Sequence, residues 1–308
     1  MRLGYCLPQC GALAGPGPLV EVARRAEALG YDSVWALDRI LYPTHPRAPY
    51  PVTADGSLPA AYDRVFDPLI ALTWVAAATE RVAVGTSILV LPWYNPVLLA
   101  RQLASLDLLS GGRLRVGVGT GWSPDEYEAA GVPFKGRGSR AEESLEVMSS
   151  IWKGGEVSHA GERFTLPESR MELRPAQRPR PKVYMAAYTP AVLARVGETA
   201  DGWIPAGVPN AAIPGMFDVV KQAARAAGRD PGELELVIRA NVTLLDRALP
   251  EEGRYSFVGS LEQIAQDVAG LRAMGADEVH FDTQFSPGVD SLGDHLAMAE
   301  RLYGIAGS

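Results

Sequence analysis

The sequence predicts an α/β chain closed as a (β/α)8 TIM barrel, with insertions after strand 2 and between helix 4 and strand 5. Three observations predict it. Short apolar runs alternate with helical spacings through eight strand–helix pairs. The strand runs are apolar almost throughout, which suits a parallel sheet covered by helices. The 308 residues exceed the roughly 250 of such a barrel by about 60, and two proline-rich stretches absorb the surplus. One domain over residues 1–308 is therefore expected.

The elements follow in order. Residues 2–7 form a first strand, and the helix after it stops at Gly30, a natural C-terminal cap. Residues 32–37 are the second strand, and residues 39–66 the first proline-studded insertion. Asp67-Pro68 starts the next helix with a capping carboxylate and a proline at the first helical position. Residues 82–90, rich in β-branched side chains, read as a strand buried on both faces. Asn95-Pro96 repeats the capping device, and Ser110-Gly111-Gly112 turns the chain into strand 113–119. A helix over 137–152 precedes the second irregular stretch, 153–181. Strand 182–186, helix 190–198, strand 202–205 and a helix near 211–227 come next. Strand 234–245, helix 261–274, strand 278–282 and helix 292–302 close the series.

Composition excludes several classes of function. A net charge of −7 gives no overall cationic footprint for nucleic acid. No apolar run approaches the ~18 residues of a membrane span, and the N-terminus lacks a signal peptide's apolar stretch, so a cytoplasmic protein is expected. The two cysteines, Cys6 and Cys10, read as reduced and idle. The four histidines, His45, His159, His280 and His295, are scattered, with no His-x-His at a strand end to hold a hydrolytic metal. Neither a G-x-S-x-G elbow nor a phosphate-binding loop occurs.

In a barrel of this kind chemistry sits at the C-terminal strand ends. Those ends supply Leu7 to Cys10, Asp38-Arg39, Thr86 to Ile88, Thr120 to Trp122, Ala186 to Thr189, Pro205 to Gly207, Arg239 with Asn241, and Asp282 to Gln284. Such a mouth, apolar with several aromatics and few charges, suits a large planar organic cofactor that brings its own reactivity.

The stretches Gly85-Thr86-Ser87-Ile88-Leu89-Val90-Leu91-Pro92, Asn95 to Gln102, Gly117-Val118-Gly119-Thr120-Gly121-Trp122, Gly131-Val132-Pro133-Phe134, and Thr199-Ala200-Asp201-Gly202-Trp203 resemble the bacterial luciferase-like superfamily of flavin and deazaflavin oxidoreductases, and within it the group that uses coenzyme F420. The likeness runs over nearly the whole chain. It implies an F420-dependent oxidoreductase passing a hydride to or from a small organic substrate. The alternatives are a two-component monooxygenase taking reduced FMN, or a barrel with a non-redox lyase, cyclase or binding-only role. It also implies a bulged third strand with a non-prolyl cis peptide at Ser87–Ile88 behind the ring, contacts to the ring or substrate from Thr120, Gly121 and Trp122, and a homodimer.

Asp38-Arg39 departs from the family, where Asp-His is common and the histidine is often assigned to proton transfer. Arginine stays cationic and is no acid or base near neutrality. It can pair with an anionic deazaflavin or a carboxylate substrate, while Asp38 keeps a contact to the cofactor. His45, six residues on, is one alternative source of the missing imidazole. Ala186-Ala187-Tyr188-Thr189-Pro190 offers free amides at a helix start as a phosphate seat, suited to F420 and FMN alike. Lys135, Arg137 and Arg140, and separately Arg170, Arg174, Arg178, Arg180 and Lys182, are candidates for the glutamate tail of F420. Tyr42, Tyr50, Tyr62 and Phe66 of the first insertion are expected to line a partial cover over the mouth.

Overall fold

The computed structural model describes residues 1–53, 55–284 and 286–307. Eight parallel strands close into a barrel: β1 (Arg2–Cys6), β2 (Ser33–Ala36), β3 (Ala83–Val90), β4 (Leu114–Gly119), β7 (Lys182–Met185), β8 (Gly202–Trp203), β9 (Glu235–Asn241) and β12 (Glu278–Asp282). Helices lie between them: α1 (Pro16–Leu29), α2 (Pro68–Ala76), α3 (Pro96–Leu109), α5 (Arg137–Lys153), α6 (Pro190–Thr199), α7 (Ile213–Ala226), α8 (Leu261–Ala273) and α9 (Leu292–Ala306). The signals read in the sequence act as expected: Gly30 caps α1 in the left-handed region, and Asp67 and Asn95 accept the first free amides of α2 and α3.

Three elements depart from expectation. The second insertion is not irregular throughout but carries an antiparallel hairpin, β5 (Gly155–Ala160) with β6 (Thr165–Met171). Only Val157 and Leu166 on it are buried, too few to leave a period-2 apolar signature. A short helix, α4 (Pro124–Ala129), follows β4, with Ser123 as its cap. The long seventh strand divides after Asn241: the Val242 amide turns to the Asp282 carbonyl at 2.8 Å, and β10 (Thr243–Leu244) pairs with β11 (Val258–Gly259) instead.

Strand residues two apart share a face, so Glu278, His280 and Asp282 turn into the barrel while Val279 and Phe281 pack under the helices. Cys6, Trp35, Tyr184, Ile204 and Val237 form the apolar interior. β3 slips register against β4 between Thr86 and Leu89, and the Thr86 hydroxyl donates to the Gly117 carbonyl at 2.8 Å while accepting the Gly117 amide at 2.9 Å. A side chain at 117 would be driven into the Thr86 carbonyl oxygen. Gly117→Ala is accordingly expected to cost about 1–3 kcal/mol in urea unfolding, and an unchanged midpoint would contradict this close approach.

Candidate active site

A cavity of about 570 Å³ opens at the C-terminal strand ends. The residues read from the sequence as catalytic or cofactor-contacting all reach its wall. Asp38 and Arg39 leave β2; Ser87 and Ile88 sit at the register slip of β3; Thr120, Gly121 and Trp122 follow β4; and Ala186, Ala187, Tyr188 and Thr189 join β7 to α6. Gly121 holds φ at +62°, and a Cβ there would crowd Val90, so the turn after β4 depends on glycine. The Ser87–Ile88 peptide is cis.

Asp38 is buried, and both of its donors, the Val90 amide at 2.9 Å and the Tyr94 hydroxyl at 3.0 Å, engage Oδ2. Burial pushes its carboxyl up to about 7, against the pull of those two hydrogen bonds, with the negative Asp67 and Glu126 adding to the rise. Arg39 is not a solvated loop residue: its side chain is 7% exposed, beside a Glu126 that is 1% exposed, with Nε 3.3 Å from Oε1. The rings of Tyr62 and Trp122 each lie 5.1 Å from its guanidinium carbon. Glu126 also accepts the Ile40 amide at 3.1 Å.

Of the first insertion, Tyr50 and Tyr62 line the cavity with Pro51 and Val52, and the two tyrosine hydroxyls are 3.0 Å apart. Tyr42 and Phe66 do not line it; Tyr42 donates to the Leu58 carbonyl and Phe66 packs on the main core. His45 is exposed and lies outside the lining, so it is no substitute for the missing imidazole. Of the basic clusters, Arg137 alone reaches the cavity wall. Arg170, Arg180 and Lys182 are paired with Glu172, Asp201 and Glu235, which consumes their charge elsewhere. Both cysteines are buried free thiols, and burial raises both. Among the described residues no group of three or more His, Cys, Asp or Glu side chains is placed to hold a metal ion, and no helix is long and apolar enough to cross a membrane.

Two residues have roles that the sequence reading did not assign: Arg239, named there only as a strand-end residue and here part of the cavity wall, and His280, read there as one of the scattered histidines. Arg239 donates from Nη1 to the Ser87 carbonyl at 2.7 Å and pairs through Nη2 with Asp282. His280 stacks on Trp35, ring centroids 4.4 Å apart, and meets the Ser87 hydroxyl through Nε2 at 2.9 Å. Burial keeps His280 neutral, well below the usual imidazole range, and the cations of Arg239 and Arg115 act the same way. The Ser87 peptide is thus gripped from below at its carbonyl and its side chain. The available signal was the inward alternation Glu278, His280, Asp282, three polar residues on one face of a buried strand.

Comparison with known proteins agrees with this architecture. A Kineococcus radiotolerans protein named F420-dependent glucose-6-phosphate dehydrogenase is 32% identical over 79% of this chain and 68% of its own. The solved monooxygenase RslO1 from Streptomyces bottropensis superposes with a TM-score of 0.79 at 21% identity, covering 99% of this chain and 98% of that one. An F420-dependent secondary alcohol dehydrogenase, solved with an F420–acetone adduct, gives 0.78 at 18% identity over 99% and 98% of the two chains. At these identities the two structures speak for the fold. The family model described as luciferase-like monooxygenase matches residues 1–252, and the chain belongs to that family.

Proposed function

We propose that this chain is an oxidoreductase that moves a hydride between coenzyme F420 and a small organic substrate at the C-terminal mouth of its barrel. What carries the reading is the convergence of all the family-implied positions on one cavity, in a chain about one-third identical to a protein named as F420-dependent.

The lining fits such a group. A volume of about 570 Å³ lies in the range of organic-ligand sites. Ile88, Val90, Ala187 and Val192 give it apolar wall. The amino end of α6 has no side-chain cap from Thr189, which leaves amides for an anionic tail. When bound, the deazaflavin supplies two-electron hydride chemistry at a ring carbon where flavin carries nitrogen.

On this reading Ser87, Ile88, Thr120, Gly121 and Trp122 border the ring, with Asp38, and residues 186–189 seat the phosphate. Hydride transfer between an alcohol and a carbonyl also moves a proton at the substrate oxygen. Asp38 can take or give that proton at Oδ1, the oxygen its two hydrogen bonds leave unused; a carboxyl near 7 is matched to the task at neutral pH. Arg39 holds charge and does not exchange it. Tyr50, Tyr62 and Val52 exclude water from that side.

Titration of the purified chain with F420 and with FMN tests the assignment. F420 is expected to bind at least about tenfold more tightly, a difference of about 1.4 kcal/mol. Preference for FMN would move the protein to the reduced-FMN monooxygenases. F420 binding without oxidation or reduction by any substrate would point to a non-redox role.

A further inference from the structure

We infer that Arg39 recognises an acidic oxygen group of the substrate, so that the organic molecule turned over at this mouth is a carboxylic acid; the inference rests on the hydride-transfer reading above. The guanidinium is more than nine-tenths buried, yet among the described residues nothing accepts a hydrogen bond from its Nε or Nη2. Glu126 balances its charge from the Nε side, 3.3 Å away, outside hydrogen-bonding alignment. A charged donor taken out of water with its hydrogen bonds unmet is unfavourable, and an incoming acceptor recovers that loss.

The surroundings narrow the acceptor. Tyr62 and Trp122 pack on the guanidinium, and Tyr50 meets both rings, its centroid 5.8 Å from that of Tyr62 and 5.5 Å from that of Trp122. Cation–π packing of this kind fixes the plane of the guanidinium, and its N–H donors lie in that plane, the geometry that suits a planar carboxylate. Glu126 already offsets part of the Arg39 charge, so a dianionic phosphate would be repelled more strongly than a monoanionic carboxylate. The aromatic and aliphatic wall from Tyr50 and Val52 accommodates the carbon skeleton. Of these neighbours only Trp122 borders the ring on the reading above; Tyr50, Tyr62 and Val52 belong to the first insertion, not to the α6 terminus where a cofactor's anionic tail would sit, so the acid is assigned to the substrate.

The test is isothermal titration of the whole chain with benzoate and butyrate, each against its neutral amide, with and without F420, for the parent and for Arg39→Gln and Arg39→Lys. The parent is expected to bind at least one acid about tenfold or more tighter than its amide, the scale of a charged hydrogen bond. Arg39→Gln should abolish that ratio with F420 affinity unchanged, and Arg39→Lys should keep part of it. Equal or absent binding of acid and amide by the parent overturns the inference, and this holds even where a variant does not fold. An Arg39→Gln chain that loses F420 but keeps the acid preference overturns it too. Failure of F420 to bind the parent sinks the hydride reading instead, and the acid-to-amide ratio measured without cofactor still decides the role of Arg39.

Discussion

Arg239→Met will lower the stability of the barrel by about 3–5 kcal/mol, the cost of stranding one member of a buried ion pair. Methionine keeps an unbranched apolar stem but ends short of the guanidinium. The loss comes from Asp282, whose side chain is 1% exposed, and from the Ser87 carbonyl, which would lose its 2.7 Å donor. Burial opposes the charge on Arg239, but Asp282 outweighs it and holds the guanidinium well above its ordinary range. Urea unfolding of Arg239→Met, Asp282→Asn and the double variant separates the terms. The double variant should recover much of the loss, since no unpaired charge remains. A single-variant cost below about 1 kcal/mol would mean that water reaches Asp282 and that the pair is not a buried one.

Asp38→Asn will have opposite effects on activity and stability. Turnover should fall by about 10²–10⁴, the usual weight of a positioned acid or base, while the amide oxygen still accepts from Val90 and Tyr94. For stability the sign follows from linkage. The folded carboxyl is pushed up to about 7, above the ordinary aspartate value of about 3.9, so the folded state holds a proton that the unfolded chain releases. The stabilising contribution is complete below about pH 4, declines as pH rises toward 7, and is absent above it. Asparagine has no proton to lose, so the variant should be the more stable chain at pH 8 by roughly 2–4 kcal/mol, with little difference at pH 4. Glu126 is also raised by burial and His280 is lowered, so each bends the absolute pH profile. The parent-minus-variant difference in melting temperature at pH 4 and 8 isolates Asp38, and a difference that does not change with pH would refute its raised carboxyl.

Most of the barrel was legible because its signals are local. Near-continuous apolar runs, Asp67-Pro68 and Asn95-Pro96, and Gly30 all act within a few residues of themselves. The candidate site was legible through strand-end position, which the closed topology converts into proximity. Illegible were features set by distant partners. Arg39 reads as a candidate site cation, but nothing near it in sequence shows that Glu126, 87 positions on, packs against it. His280 reads as one scattered histidine until β2 and β3 place Trp35 and Ser87 around it. The β5–β6 hairpin is held by backbone pairing across a mostly exposed surface, and such pairing leaves little trace in side-chain pattern.

The short helix α4 has a consequence for how this protein can change. It fastens the first insertion twice: Asp125 and Glu128 hold Arg47 on the outside, each at 2.7 Å, and Glu126 holds Arg39 within. The start of the insertion is therefore secured by side chains on a neighbouring loop helix, while its end is bonded through backbone to the loop after β1 and the barrel strands are held by their own ladder. Alterations at Tyr50 or Val52 touch no strand pairing and should combine additively with changes in the barrel interior. Selection can reshape what the mouth admits while leaving the scaffold's folding intact, which makes the pair of α4 and the insertion a unit that can diverge on its own.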